Sequence, residues 1–243
     1  MKQKSLKDRL KKKQEDIRKR GEGNSGMIFL KPDTTLRVRL LPLNSEEDFT
    51  LEVVHFYLGD EIKGVISPAT FNEPCAIMER YEELKKSKNP EDKELAKKFV
   101  PKRKFVALVN AYTDTKGKEV DPEKTEKLIL LPNSIAQQLI DFYLDEDDWG
   151  DMTNPETGYD VKLKRVGSGK MDTEYSCSAC NKTPIGKKFR KVYDLTKAVR
   201  AIMPTYEDTQ DKINSFLHGD AGKKEKKSGT ERLHEKKKKK KSL

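Results

Sequence analysis

TLRVRLLPL, residues Thr35–Leu43, decides the fold. Leu36, Val38 and Leu40 alternate with Arg37 and Arg39, the period of two that gives a strand one apolar and one cationic face. Working outward, RKFVALVNAY (Arg103–Tyr112) is the clearest further strand. FTLEVVHFYL (Phe49–Leu58) is rich in β-branched and aromatic residues and reads as another. EKLILL (Glu126–Leu131) and YDVKLKR (Tyr159–Arg165) follow, and Glu174–Ala179 returns as a hairpin after the GSGK turn. Helical spacing marks Ala76–Lys88, Pro90–Phe99, Ile135–Leu144 with Ser134 or Asn133 as cap, and Asp194–Met203, capped by Asp194 and stopped by Pro204. Residues 208–217 add one more helical turn.

About five strands interrupted by helices, in no regular βαβ order, predict a mainly β or α+β chain: a five-stranded OB-fold barrel with helical insertions. The GEGNSG stretch at 21–26 is a flexible break. It divides a basic N-terminal arm, residues 1–25, from a core over 26–205. A C-terminal segment over 206–243 ends in a lysine run, Lys236–Lys241, expected to be disordered.

The net charge of +10 is unevenly spread. Residues 1–25 carry ten Lys/Arg against four Asp/Glu, and residues 221–243 carry eleven against three. The ends are thus +6 and +8, which leaves −4 for residues 26–220. Basic ends on a slightly acidic body point to a polyanionic partner. Any DNA-binding face on the body must then be a local stripe. Three cysteines make no disulfide framework, and no stretch of eighteen apolar residues points to a membrane. Residues 2–20 read as a weakly amphipathic basic helix, with Leu6, Leu10 and Ile17 on its thin apolar stripe.

Basic residues recur on the strands: Arg37 and Arg39, Arg103 and Lys104, Lys162 and Lys164, then Arg165 and Lys170. Aromatic residues share these strands: Phe56, Tyr57, Phe105, Tyr112, Tyr159 and Tyr175. Single-strand binders combine both types, because cations track phosphates while rings stack on unpaired bases. The DNA-binding set expected on these grounds is Arg37, Arg39, Phe56, Tyr57, Arg103, Lys104, Phe105, Tyr112, Lys162, Lys164, Arg165 and Lys170.

Other site readings stay open. Cys177 and Cys180 have zinc-knuckle spacing, and His55 and Cys75 would complete four ligands, although a CxxC inside a strand sends its thiols to different faces. Asp145, Asp147, Gly150, Asp151 and Glu156 follow a calcium-loop spacing, but Trp149 takes a ligand position and Pro155 opposes the exiting helix. No Gly-rich phosphate loop, GxSxG or HExxH is present, so no catalytic residue is expected. Two alternatives to a non-catalytic single-strand binder are a tail-driven RNA or duplex-DNA binder, and a metal-dependent nuclease using Asp145, Asp147 and Asp151. A third is an assembly protein whose basic ends pack nucleic acid.

Seven segments in order resemble the single-stranded DNA-binding, helix-destabilising proteins of T-even-type and related tailed bacteriophages. They are SLKDRLKKKQEDIRKRG, TTLRVRLLPL, VVHFYL, ISPATFNEPCAIMERYEEL, PKRKFVALVNAY, LILLPNSIAQQLIDFYLDED and WGDMTNPETGYDVKLKRVGSGKMDTEYS. The resemblance implies an OB-fold core that coats single strands with little sequence preference in phage replication, recombination and repair. The setting it implies is the cytoplasm of an infected bacterium, with phage replication and recombination proteins as partners and no membrane. It also implies that the arm touches the neighbouring protomer and makes binding cooperative, through Lys2, Lys4, Ser5, Lys7, Arg9, Lys11, Lys12 and Lys13. Two departures stand out. The family's inserted zinc cluster has Ser67 and Met78 at positions where ligands are needed beside His55 and Cys75, so no cofactor is expected. The family's acidic C-terminal tail is replaced by lysines.

Overall fold

The computed structural model describes residues 27–217, apart from 45, 59–63, 115, 117, 122–125 and 170. The expected arm, its helix over 2–20 and the lysine run lie outside the described residues. Eight strands are described: β1 (Met27–Phe29), β2 (Thr34–Leu40), β3 (Leu51–Phe56), β4 (Val65–Ile66), β5 (Lys102–Ala111), β6 (Glu126–Leu131), β7 (Tyr159–Val166) and β8 (Glu174–Lys182). Helices α1 (Ala76–Lys86), α2 (Pro90–Ala96), α3 (Asn133–Leu144) and α4 (Leu195–Ile202) are joined by α5 over 206–217. None of the described helices is long and apolar enough to cross a membrane.

The architecture is a sheet-dominated α+β fold. Strand order is β1-β6-β5-β2-β7-β8, with β3 on β5 and β4 on β3. These pairings give a sheet of eight strands where about five were expected. Two of the added strands, the three-residue β1 and two-residue β4, are too short for alternation to reveal. β1 joins β6 in parallel, whereas the ladders of β2 with β5 and β7, β3 with β4, β5 with β6, and β7 with β8 are antiparallel.

The chain divides into two compact units. The first joins residues up to Val53 with Arg103–Ile202. Its core is built from one face of each strand: Leu36, Val38 and Leu40 of β2, Ala107, Val109 and Ala111 of β5, Ile129 and Leu131 of β6, and Val161 and Leu163 of β7. Ile135 and Leu139 of α3 belong to the same cluster. Each fully buried large aliphatic contributes about 1.5–3 kcal/mol. The start of α3 differs from expectation: Pro132 is the N-cap and Asn133 is already helical. Its Gln138 serves the sheet instead, donating to the Tyr175 carbonyl and accepting from the Cys177 N–H at 2.8 Å, as a neighbouring strand would. At α4, Asp194 accepts from the Lys197 N–H, as predicted, and the Glu47 carboxylate accepts from Leu195 and Thr196 N–H, each at 2.9 Å.

Among the described residues, the second unit holds Val54–Lys102 and 203–217. Phe56, Ile77, Leu84, Phe99 and Ile213 form its core. The N-cap of α1, Cys75, makes no side-chain capping bond. Thr209 of α5 compensates, since its Oγ1 accepts from Ala76 N–H at 3.2 Å and donates to the Tyr206 carbonyl.

Candidate nucleic-acid interface

The ladder of β2, β7 and β8 sets two rows of side chains side by side. Thr35 pairs with Lys164, and Lys164 with Ser176; Arg37 pairs with Lys162, and Lys162 with Ser178. All six are exposed. Their inward neighbours Leu36, Val38, Val161 and Leu163 are buried, so the pleat forces these six to the opposite face. Directly opposite side chains stand about 5 Å apart at Cβ, and Lys162 and Lys164 about 7 Å apart along the strand. Lys162 and Lys164 make no ion pair among the described residues. Lys162, Lys164 and Arg37 thus form a local cationic stripe on a body whose net charge is −4.

One end of the stripe is braced by a buried carboxylate. Asp160 of β7 accepts at Oδ2 from Arg37 Nε (3.0 Å) and Nη2 (2.7 Å). Its Oδ1 lies 3.4 Å from Arg39 Nη1. The Asp160 side chain is 3% exposed and that of Arg37 46%. The Arg37 guanidinium also lies over the Tyr112 ring, 5.1 Å from its centroid. The Asp160 hydrogen bond, against the cost of desolvation, raises Arg37 above its ordinary value. Burial, with Asp160 beside it, pushes the half-buried Tyr112 hydroxyl upward, so the ring stays neutral.

Arg39 is corrected. It lies on the polar face of β2, as the alternation requires, yet it is buried. Its Nη2 donates to the Thr183 carbonyl at 2.9 Å and the Asn154 carbonyl at 3.2 Å. Desolvation lowers it, and Asp160 opposes that shift. Gly158 makes this packing possible, since a Cβ there would stand 2.5 Å from the Asn154 and Met152 carbonyl oxygens and 2.9 Å from Arg39 Nη2. Arg39 therefore anchors the 152–158 loop and offers a strand no surface.

The other expected residues are dispersed. Phe56 is a core residue of the second unit, fully buried, and is corrected likewise. Tyr57 follows it and is exposed. Phe105 packs on the core of the first unit. Arg103 pairs with Glu52 at 2.9 Å. Arg103 and Lys104 sit at the opposite end of β5 from Tyr112, eight or nine residues and so about 25–30 Å of strand away. Arg165 has the parity of the core face, with its guanidinium over Tyr175 and Nη1 donating to the Leu30 carbonyl. Tyr159 and Tyr175 also belong to the core side. Lys170 and the arm residues lie outside the described residues. Of the expected set, Arg37, Tyr112, Lys162 and Lys164 come together.

The metal readings find no geometry among the described residues. No group of three or more His, Cys, Asp or Glu side chains is placed to hold an ion. Cys177 packs on the core of the first unit, and burial pushes its thiol up to about 12. Cys75 is buried in the apolar core of the second unit, and the buried Ser67 caps a short 3₁₀ turn. The carboxylates of the acidic loop fasten turns: Asp145 accepts from Asp148 N–H, Asp151 from Thr153 N–H and hydroxyl, and Glu156 pairs with Arg190.

Two residues at this site escaped the reading of the sequence. Asp160 is one member of the YDVKLKR strand and Gly158 lies just before it, and neither was singled out. Their roles depend on the register that sets Asp160 beside both arginines. Lys162 directly opposite Arg37 was the available clue, once β2 and β7 were paired.

No curated protein matches the chain. A family model described as "gp32 DNA binding protein like" matches residues 33–217, a span that covers the cationic ladder, Tyr112 and the Asp160 brace. With most of its length in that match, the chain belongs to the gp32-like family of DNA-binding proteins.

Proposed function

We propose that this protein coats single-stranded DNA cooperatively and without cleaving it, with little sequence preference, in the replication, recombination and repair of phage DNA inside an infected bacterium. The observation that carries the reading is the exposed stripe of Lys162 and Lys164 beside Arg37 and Tyr112. Such a stripe suits a flexible strand whose phosphates follow lysines while bases meet flat groups. The family match supports DNA binding. An OB-type barrel remains part of this reading, as does a cooperative role for the basic arm, whose +6 charge suits contact with a slightly acidic neighbouring body. No metal enters the mechanism, since strand coating needs charge and stacking alone. Preferential binding of single strands shifts duplex melting by mass action.

The test is anisotropy of a labelled oligothymidylate titrated with the full chain, with unlabelled single strand, duplex and RNA as competitors. Saturable binding that single-stranded DNA displaces best is expected, with stoichiometry and cooperativity rising with strand length. Equal displacement by duplex or RNA refutes the proposal in favour of a tail-driven binder. Strand cleavage on adding Mg²⁺ or Mn²⁺ refutes it in favour of a nuclease.

A further inference from the structure

We infer that Arg37, braced by Asp160 against Tyr112, serves DNA as a flat stacking partner for a base and leaves phosphate neutralisation to Lys162 and Lys164. This rests on the single-strand reading above. Asp160 is buried, and one of its oxygens takes both the Nε and Nη2 hydrogens of Arg37. One edge of the guanidinium is thereby occupied and its charge is locally opposed. Moving Arg37 toward a phosphate would leave the buried carboxylate with Arg39, at 3.4 Å, as its remaining ion-pair partner among the described residues, an unfavourable exchange.

With Nε and Nη2 held by Asp160, the half-exposed Arg37 retains its plane and its Nη1 edge. A guanidinium is weakly hydrated and is drawn to π-systems, as it is here to the Tyr112 ring. Lysine cannot replace it in that role, because an ammonium has no plane. Lys162 stands directly across the ladder and supplies a mobile charge for the adjoining phosphate. Base contact and phosphate contact thus fall to neighbouring residues of one cross-strand row.

The experiment compares Arg37→Ala, Arg37→Lys and Lys162→Ala in the full chain. Each is titrated against an oligothymidylate and against an abasic backbone of the same length. Thermal melting serves as the folding control, and Arg37→Lys retains the charge should the alanine variant prove unstable. Both Arg37 variants should lose about tenfold on the oligothymidylate, within the range of one base stack, and less than about twofold on the abasic strand. Lys162→Ala should lose equally on both. Equal losses of the Arg37 variants on both strands, or wild-type affinity of Arg37→Lys for oligothymidylate, would overturn the inference. A wild-type chain that binds neither strand would remove the single-strand reading itself.

Discussion

Replacing Lys162 and Lys164 together by alanine tests the cationic stripe most directly. Both side chains are exposed on β7 and make no ion pair among the described residues, so their removal should change stability by no more than about 0.5 kcal/mol. Each lysine that neutralises a phosphate of a single strand adds about 0.7 to the slope of log affinity against log salt, so the pair adds about 1.4. Between about 0.05 and 0.2 M salt, the wild-type chain should therefore lose about sevenfold more affinity than the double variant. The assay is oligothymidylate anisotropy across a salt series, with melting curves to show that both proteins are folded. Parallel slopes would refute the assignment, because lysines off the phosphate path cannot change the number of ions released. A shallower slope with unchanged low-salt affinity would refute it as well, since the lost contacts must also weaken binding.

Other outcomes follow from the packing. Gly158→Ala drives a Cβ into two carbonyl oxygens and Arg39, and should destabilise the first unit by about 1–3 kcal/mol, read as a lower melting temperature. Phe56→Ala should cost about 3–5 kcal/mol in urea unfolding while the folded fraction keeps its DNA affinity, the reverse of what a stacking residue would show. At Glu47, desolvation opposes the charge, but the Thr196 and Leu195 N–H groups outweigh it and hold the carboxyl below its ordinary value. Its stabilisation is therefore present above the unfolded value near ~4.3 and lost as pH falls through the lower folded value. Glu47→Gln should cost about 1 kcal/mol at neutral pH and flatten that part of the acid-unfolding curve. Cys177, pushed to about 12 by burial, should resist a thiol reagent at about pH 8 until urea unfolds the chain; reaction at the rate of an open thiol would contradict its placement.

The sequence by itself determined most of the longer elements and the uneven spread of charge between body and ends. Alternation is a local signal: TLRVRLLPL and YDVKLKR each separate an apolar from a charged face whatever they pair with. Charge counting is equally independent of fold, and the −4 body confined any DNA-binding face on it to a local stripe. The short β1 and β4 were not legible, because two or three residues carry no period. The division of the arginines was not legible either. Arg37 and Arg39 share a face in the alternation, and only the loop held down by Gly158 covers one and leaves the other open. Aromatic residues followed the same rule: Phe56 and Tyr57 are neighbours in sequence, but the pleat buries one and exposes the other. Tertiary structure alone decided which cations meet, because cross-strand register joins residues more than a hundred positions apart and sets Arg37 against both Lys162 and Asp160.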